Sequence, residues 1–182
     1  MERPLHFRLA PMSTALRVMT WLLFALPLGF TYAAVVAPGP ARLAAAGIAL
    51  FVILIYASVW FIWRPTRFDL GGTSLRIVWP TWSRVVELSS VRQVETVTAA
   101  EFRKRYGYGL RVGAGGLWGG FGLLKTGSET FSMWVSRTDA FVLVWLTGAR
   151  PLMLTPEEPE VFAAALRERA AHFGVQAASL PG

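Results

Sequence analysis

The chain has 182 residues, 54% of them hydrophobic and 16% charged, with a formal net charge of +7. Soluble domains carry about 25% charged residues, so an ordinary soluble protein is excluded, as are disordered, collagen-like and coiled-coil compositions. Cysteine is absent, which excludes disulfide scaffolds, thiolate metal sites and cysteine nucleophiles.

Residues 1–17 form a short tail of net charge +2. Two uncharged stretches follow, 24 residues at 18–41 and 21 residues at 43–63, separated by Arg42. As helices they measure about 36 and 32 Å, against a hydrocarbon core of about 30 Å. Pro38-Gly39-Pro40 cannot continue a helix, because Pro40 lacks a donor and disfavours a helical Gly39. The prediction is a transmembrane hairpin over 18–63, with spans at 18–37 and 43–63 and a kink at Pro27. Arg3, Arg8 and Arg17 precede it, Arg64 and Arg67 follow it, and Arg42 stands alone at the tip. That asymmetry puts both flanks, and both termini, in the cytoplasm, making the chain a multi-pass protein of the cell membrane. Trp21, Trp60 and Trp63 fall at the expected headgroup level. A cleaved signal peptide is the rival, but the apolar run is too long and Val35-Val36-Ala37 before Pro38 is a poor cleavage site. Neither span holds an ionisable residue, so the hairpin reads as an anchor rather than a transport path. Ala44, Ala45, Ala46 and Gly47 offer a small-residue packing seam.

Residues 64–182 carry a net charge of +4, with fourteen basic residues spread among ten acidic ones. No compact basic helix or recognition motif emerges, and nucleic acid is not expected as a partner. Alternating and apolar runs predict strands at 68–70, 74–79, 84–88, 91–98, 129–136, 140–147 and 151–154. The first two join through Gly71-Gly72, and 140–147, apolar on both faces, reads as central. Thr155-Pro156-Glu157-Glu158 then supplies a cap, a proline at the first helical position and a glutamate three residues after the cap. An amphipathic helix follows on Val161, Phe162, Ala165, Leu166 and Phe173, with Arg167, Glu168 and Arg169 toward water, a terminus at Gly174 and a frayed tail from Gln176 to Gly182. The expected fold is a transmembrane hairpin followed by a mainly-β barrel of about seven antiparallel strands, its open end covered by one C-terminal helix.

That order of elements, with Arg64-Pro65-Thr66-Arg67-Phe68 leaving the hairpin, a Gly-rich middle ending at Gly122, Val135-Ser136-Arg137-Thr138-Asp139, and 154–162 leading into the helix, resembles the bacterial PH (pleckstrin-homology-like) domain family. The resemblance covers nearly all of 64–182 and implies a PH-like fold beside a membrane, without an agreed activity. Eukaryotic relatives can bind phosphoinositides through basic residues on the first hairpin. Here Gly71-Gly72-Thr73 carries no basic cluster, so that activity is not implied.

The most unusual segment is 101–127, which opens Glu-Phe-Arg-Lys-Arg-Tyr and places nine glycines between Gly107 and Gly127. Neither phosphate-loop fingerprint fits: after Gly113 and Gly115 the third required glycine falls on Trp118, and Leu124 stands where a glycine must precede Lys125-Thr126. One reading is a long β-hairpin with bulges and tight turns. The other is an exposed basic and aromatic interaction face made of Arg103, Lys104, Arg105, Tyr108, Arg111, Leu117, Trp118 and Phe121, for anionic lipid or a protein partner.

Catalytic chemistry finds no constellation. His6 precedes the first span, and His172, in the predicted last helical turn, complements the helix dipole. Glu157, Glu158 and Glu160 are acids expected at a helix start, Arg137, Thr138 and Asp139 are turn residues, and Trp79, Trp82, Trp134 and Trp145 are packing residues. The expectation is a non-enzymatic, membrane-anchored binding or scaffolding module with no cofactor and no metal, contacting a membrane protein partner. The alternatives are a small-ligand or anionic-lipid sensor, or an accessory subunit of a membrane enzyme or transporter.

Overall fold

The computed structural model describes residues 4–178; Arg3, counted above among the flanking charges, and residues 179–182 of the tail predicted over 176–182 lie outside the described residues, whereas 176–178 belong to the last helix rather than to a tail. Two long helices come early: α1 (Thr14–Val36) and α2 (Pro40–Ser58), the latter running on into one π-helical turn (Val59–Trp63). Both are long and apolar enough to cross a membrane. Gly39, at φ 58°, makes the reversal between them, and Pro40 opens α2. α1 passes through Pro27 unbroken, and the Thr31 hydroxyl donates to the Pro27 carbonyl at 2.7 Å. The packing seam is narrower than the small-residue run suggested. Ala45 and Ala49 are buried, one helical turn apart, whereas Ala44, Ala46 and Gly47 point elsewhere around the helix. Most of the remaining apolar surface is uncovered, with Trp21, Leu22, Leu28 and Leu43 each more than two-thirds exposed. A soluble protein buries such helices.

The tail before α1 is not separate from the domain after α2. Its residues Leu5–Arg8 form β1, which pairs antiparallel with β2 (Arg67–Leu70), so the helical hairpin is inserted between two neighbouring strands. β3 (Ser74–Val78) and β4 (Ser83–Glu87) complete a four-stranded sheet in the order β1-β2-β3-β4. The second sheet has six strands: β5 (Val91–Thr98), β6 (Leu110–Gly115), β7 (Gly120–Lys125), β8 (Thr130–Val135), β9 (Ala140–Leu146) and β10 (Leu152–Leu154), ordered β5-β9-β10-β8-β7-β6. β10 lies parallel to β8 and antiparallel to β9. All seven predicted strands are present, but the described residues hold ten, in two sheets rather than one closed barrel. The Gly-rich segment supplies β6 and β7, and the tail supplies β1. β9 is central with both faces buried, as its composition required.

The main core lies between the sheets, with Phe68, Leu70, Leu75 and Ile77 on one side and Val142, Val144, Leu152 and Leu154 on the other, all inaccessible to solvent. Helix α4 (Pro159–Ala178) closes it with Phe162, Ala163 and Leu166. α4 begins later than predicted, because Thr155 is occupied elsewhere. Its buried hydroxyl accepts the Ser136 N–H at 2.9 Å, the Ser136 hydroxyl donates to the Ala10 carbonyl at 2.6 Å, and Ala10 N–H donates to the Thr155 carbonyl at 2.9 Å. This knot ties the entry to α1 into the second sheet. α4 also runs past Gly174, so His172 sits inside the helix and pairs with the Glu168 carbonyl at 2.8 Å rather than marking its last turn. Arg167 and Arg169, expected toward water, reach back to the Val94 and Leu70 carbonyls.

Candidate functional site

The tip of the β6–β7 hairpin is packed against the base of the helical pair. Gly116 N–H donates to the Gly119 carbonyl at 2.9 Å, and Trp118 holds a left-handed φ of 57° between them. Gly116 itself has φ 93°, and a Cβ there would lie 2.8 Å from the Met19 sulfur, so this turn needs glycine both for its backbone and for its approach to α1. The buried Thr20 hydroxyl meets the tip, accepting Trp118 N–H at 3.1 Å and lying 3.0 Å from the Gly116 carbonyl. The Trp118 indole sits edge-on among Phe24, Tyr56 and Trp60, with ring centroids 6.0, 6.2 and 4.9 Å away.

A second attachment caps α2. Its terminal carbonyls at Phe61, Ile62 and Trp63 accept from the Thr81 hydroxyl at 2.9 Å and from the Trp82 and Trp79 indole N–H groups, each at 3.0 Å. Trp79 and Trp82 are stacked, 3.9 Å apart, in the β3–β4 turn. Polar groups that a helix end would leave unpaired are thus satisfied by the sheet. Arg64 follows, its guanidinium 4.6 Å from the Trp60 ring centre, and burial lowers its affinity for a proton.

The outer face of the six-stranded sheet is only partly covered. Helix α3 (Ala99–Tyr106) lies across it and is closed at its start by a capping box: Thr98 Oγ1 accepts Glu101 N–H at 3.2 Å, and the Glu101 carboxylate accepts Thr98 N–H at 2.8 Å. Gly107, at φ 71°, ends it. Eight residues cannot span six strands, and a cavity of ≈ 230 Å³ remains between α3, β6 and the first turn of α1. Its floor is Phe102, Leu124, Met133, Val135, Phe141 and Met153, all buried, and Leu16 of α1 forms one wall. Arg103, Arg111 and Arg137 line it, and none of the described lining residues is acidic. Gly109 and Gly120 also line it; a Cβ on Gly120 would lie 3.1 Å from Met133 Cε and 3.6 Å from an Arg111 guanidinium nitrogen, so the cavity exists partly because these positions lack side chains.

The eight residues of the predicted interaction face therefore separate into three groups. Arg103, Tyr108 and Arg111 come together at the cavity, with the Arg103 guanidinium 5.3 Å from the Tyr108 ring centre. Lys104 and Arg105 lie on the exposed side of α3, where Arg105 pairs with Glu95 at 2.7 Å and is held above its ordinary pKa by that hydrogen bond. Leu117 and Phe121 are buried in the core, 7% and 1% exposed, and Trp118 is half-buried against the helices, so these three form no exposed face. Alternation along β7 and the turn sends them inward, toward helices whose position no local pattern records. Arg137, read as a turn residue, was missed as a cavity residue; it does lie in the turn between β8 and β9, where it makes a bidentate pair with Asp139. The signal for α3 was legible, in Thr98-Ala99-Ala100-Glu101 and Gly107.

β6 is the outer strand of its sheet, and its edge is open. Leu110 and Val112 are 68% and 55% exposed, and Leu123, opposite Val112, lines a shallow depression with Trp63, Trp82 and Trp134 at the end of α2.

Comparison with curated proteins and with solved structures gives no match. A family model described as a bacterial PH domain matches residues 66–170. That stretch runs from the start of β2 into α4, is more than half of the chain, and contains the α3, β6 and β7 residues that build the cavity; the chain belongs to the bacterial PH domain family.

Proposed function

We propose that the chain is a non-catalytic, membrane-anchored binding and scaffolding module at the cytoplasmic face, which contacts a membrane protein partner through the β6 edge. The two apolar helices span the bilayer as a hairpin. β1–β2 pairing supports this topology, since it requires both flanks of the hairpin to lie on one side, and the arginines make that side cytoplasmic. The observation that carries the partner reading is the open β6 strand with Leu110 and Val112 uncovered beside the end of α2. Unpaired strand edges with apolar side chains accept an added strand or aggregate. The clasp on Thr20 and the caps on α2 hold this edge next to the bilayer, within reach of another membrane protein.

In-cell photo-crosslinking of the full-length protein tests this, with a photoreactive residue at Leu110 and a control at Glu168 on α4. A discrete protein adduct at Leu110 alone is expected. Lipid adducts only, or identical adducts at both positions, contradict it.

A further inference from the structure

The cavity under α3 is a different surface from the β6 edge, and its chemistry points to a different ligand. Three arginines line a cavity floored by six buried apolar side chains, and none of its described lining residues is acidic. Among the described residues the Arg111 side chain has no hydrogen-bond or ion-pair partner, the Arg103 guanidinium lies over the face of Tyr108, and the Arg137 guanidinium is paired with Asp139. Guanidinium groups bind phosphate through paired N–H donors, and a charge of this sign beside an apolar floor selects an anion that carries a chain. The size narrows it further. At ≈ 230 Å³ the cavity is smaller than the roughly 300–1,000 Å³ of whole-ligand sites, so it holds a head and a short run of methylenes. Leu16, in the first turn of the apolar helix α1, lines the same cavity and offers a further apolar wall to the chain.

We infer that this cavity binds one phosphate-bearing amphiphile per chain, its anionic head on Arg103, Arg111 and Arg137 and its first methylenes on Met133 and Val135. The site is independent of the protein-partner reading, which uses the opposite face of β6; crosslinking at Leu110 decides that reading, and binding at this cavity decides this one.

Native mass spectrometry on the full-length protein provides the test. In dodecyl maltoside, dodecyl phosphate is titrated against inorganic phosphate. In a parallel arm, the protein is released from phosphatidylcholine nanodiscs with and without phosphatidylglycerol. The variants are R103A/R111A, which removes two of the three head contacts and leaves only the arginine already paired with Asp139, and G120L, which fills the floor. Arg76→Ala, on the other sheet, is the control, and thermal unfolding establishes that each variant is folded. One dodecyl phosphate per chain is expected, weakened at least about tenfold in both variants and unchanged in the control. Retention of one phosphatidylglycerol from nanodiscs supports the inference with the bilayer as source; dodecyl phosphate binding without retained phosphatidylglycerol supports it with a soluble amphiphile. Equal binding by all variants overturns it, as does inorganic phosphate binding as tightly as dodecyl phosphate, because the floor then has no role.

Discussion

Thr20, inside the first apolar helix, accepts a hydrogen bond from the backbone N–H of Trp118, 98 residues later, at 3.1 Å. The same hydroxyl lies 2.8 Å from the Leu16 carbonyl and 3.0 Å from that of Gly116, so one side chain joins the helix to the tip of the β6–β7 hairpin. Replacing it with valine keeps the shape and removes every one of these bonds. Stranding a buried donor costs about 1–3 kcal/mol, and Thr20→Val is expected to lower the stability of the reconstituted protein by that amount. Trp118→Ala removes the ring contacts with Phe24, Tyr56 and Trp60 and is expected to cost more, about 3–5 kcal/mol. Thermal unfolding in nanodiscs measures both.

Ser136 is the other fastening point. Its buried hydroxyl donates to the Ala10 carbonyl and lies 3.2 Å from the Thr155 hydroxyl. Ser136→Ala leaves the Ala10 carbonyl without that donor at the junction of β1, α1 and the second sheet, for an expected loss of about 1–3 kcal/mol. Amide exchange separates this from a local effect: β1 should lose protection together with β2, because their pairing depends on where residues 9–13 are held.

Asp139 accepts from the Arg137 guanidinium, which pulls its pKa from 3.8 down to about 2. A carboxyl whose folded pKa is depressed stabilises the fold above its unfolded value and loses that contribution as pH falls through the folded one. The stabilising window of this pair therefore opens above pH 3.8 and closes toward 2. Carboxyl carbon shifts followed by NMR should place the Asp139 midpoint near 2 in the native protein, and Arg137→Ala should return it toward the ordinary value.

Patterns that live within one element were legible in the residues. The alternation of β3, the two-sided apolarity of β9 and the Gly71-Gly72 turn all became the strands they implied. What was not legible depends on distant partners. Leu5–Arg8 is too short to announce a strand and becomes one only because β2, beyond two long helices, offers its edge. Thr155-Pro156-Glu157-Glu158 has every local feature of a helix start, but Ser136 claims the threonine hydroxyl and Arg8 the Glu157 amide, so α4 begins at Pro159. Leu117, Trp118 and Phe121 looked like an exposed aromatic face because the surfaces that bury them come from elsewhere in the chain. The capping box of α3 was readable in Thr98 and Glu101, but the run Arg103, Lys104 and Arg105 has the charge of a surface patch as well as of a helix C-terminal turn.

The helical hairpin and the β domain are one folded unit, joined at Thr20 and at the end of α2. Hydrogen exchange on the full-length protein in nanodiscs tests it most directly, by comparing the Trp118 amide with those of the open Gly127-Ser128 turn. Strong protection is expected at Trp118, lost selectively in Thr20→Val while β9 stays protected. Exchange at Trp118 as fast as at Gly127 and Ser128 in the unmodified protein would contradict it.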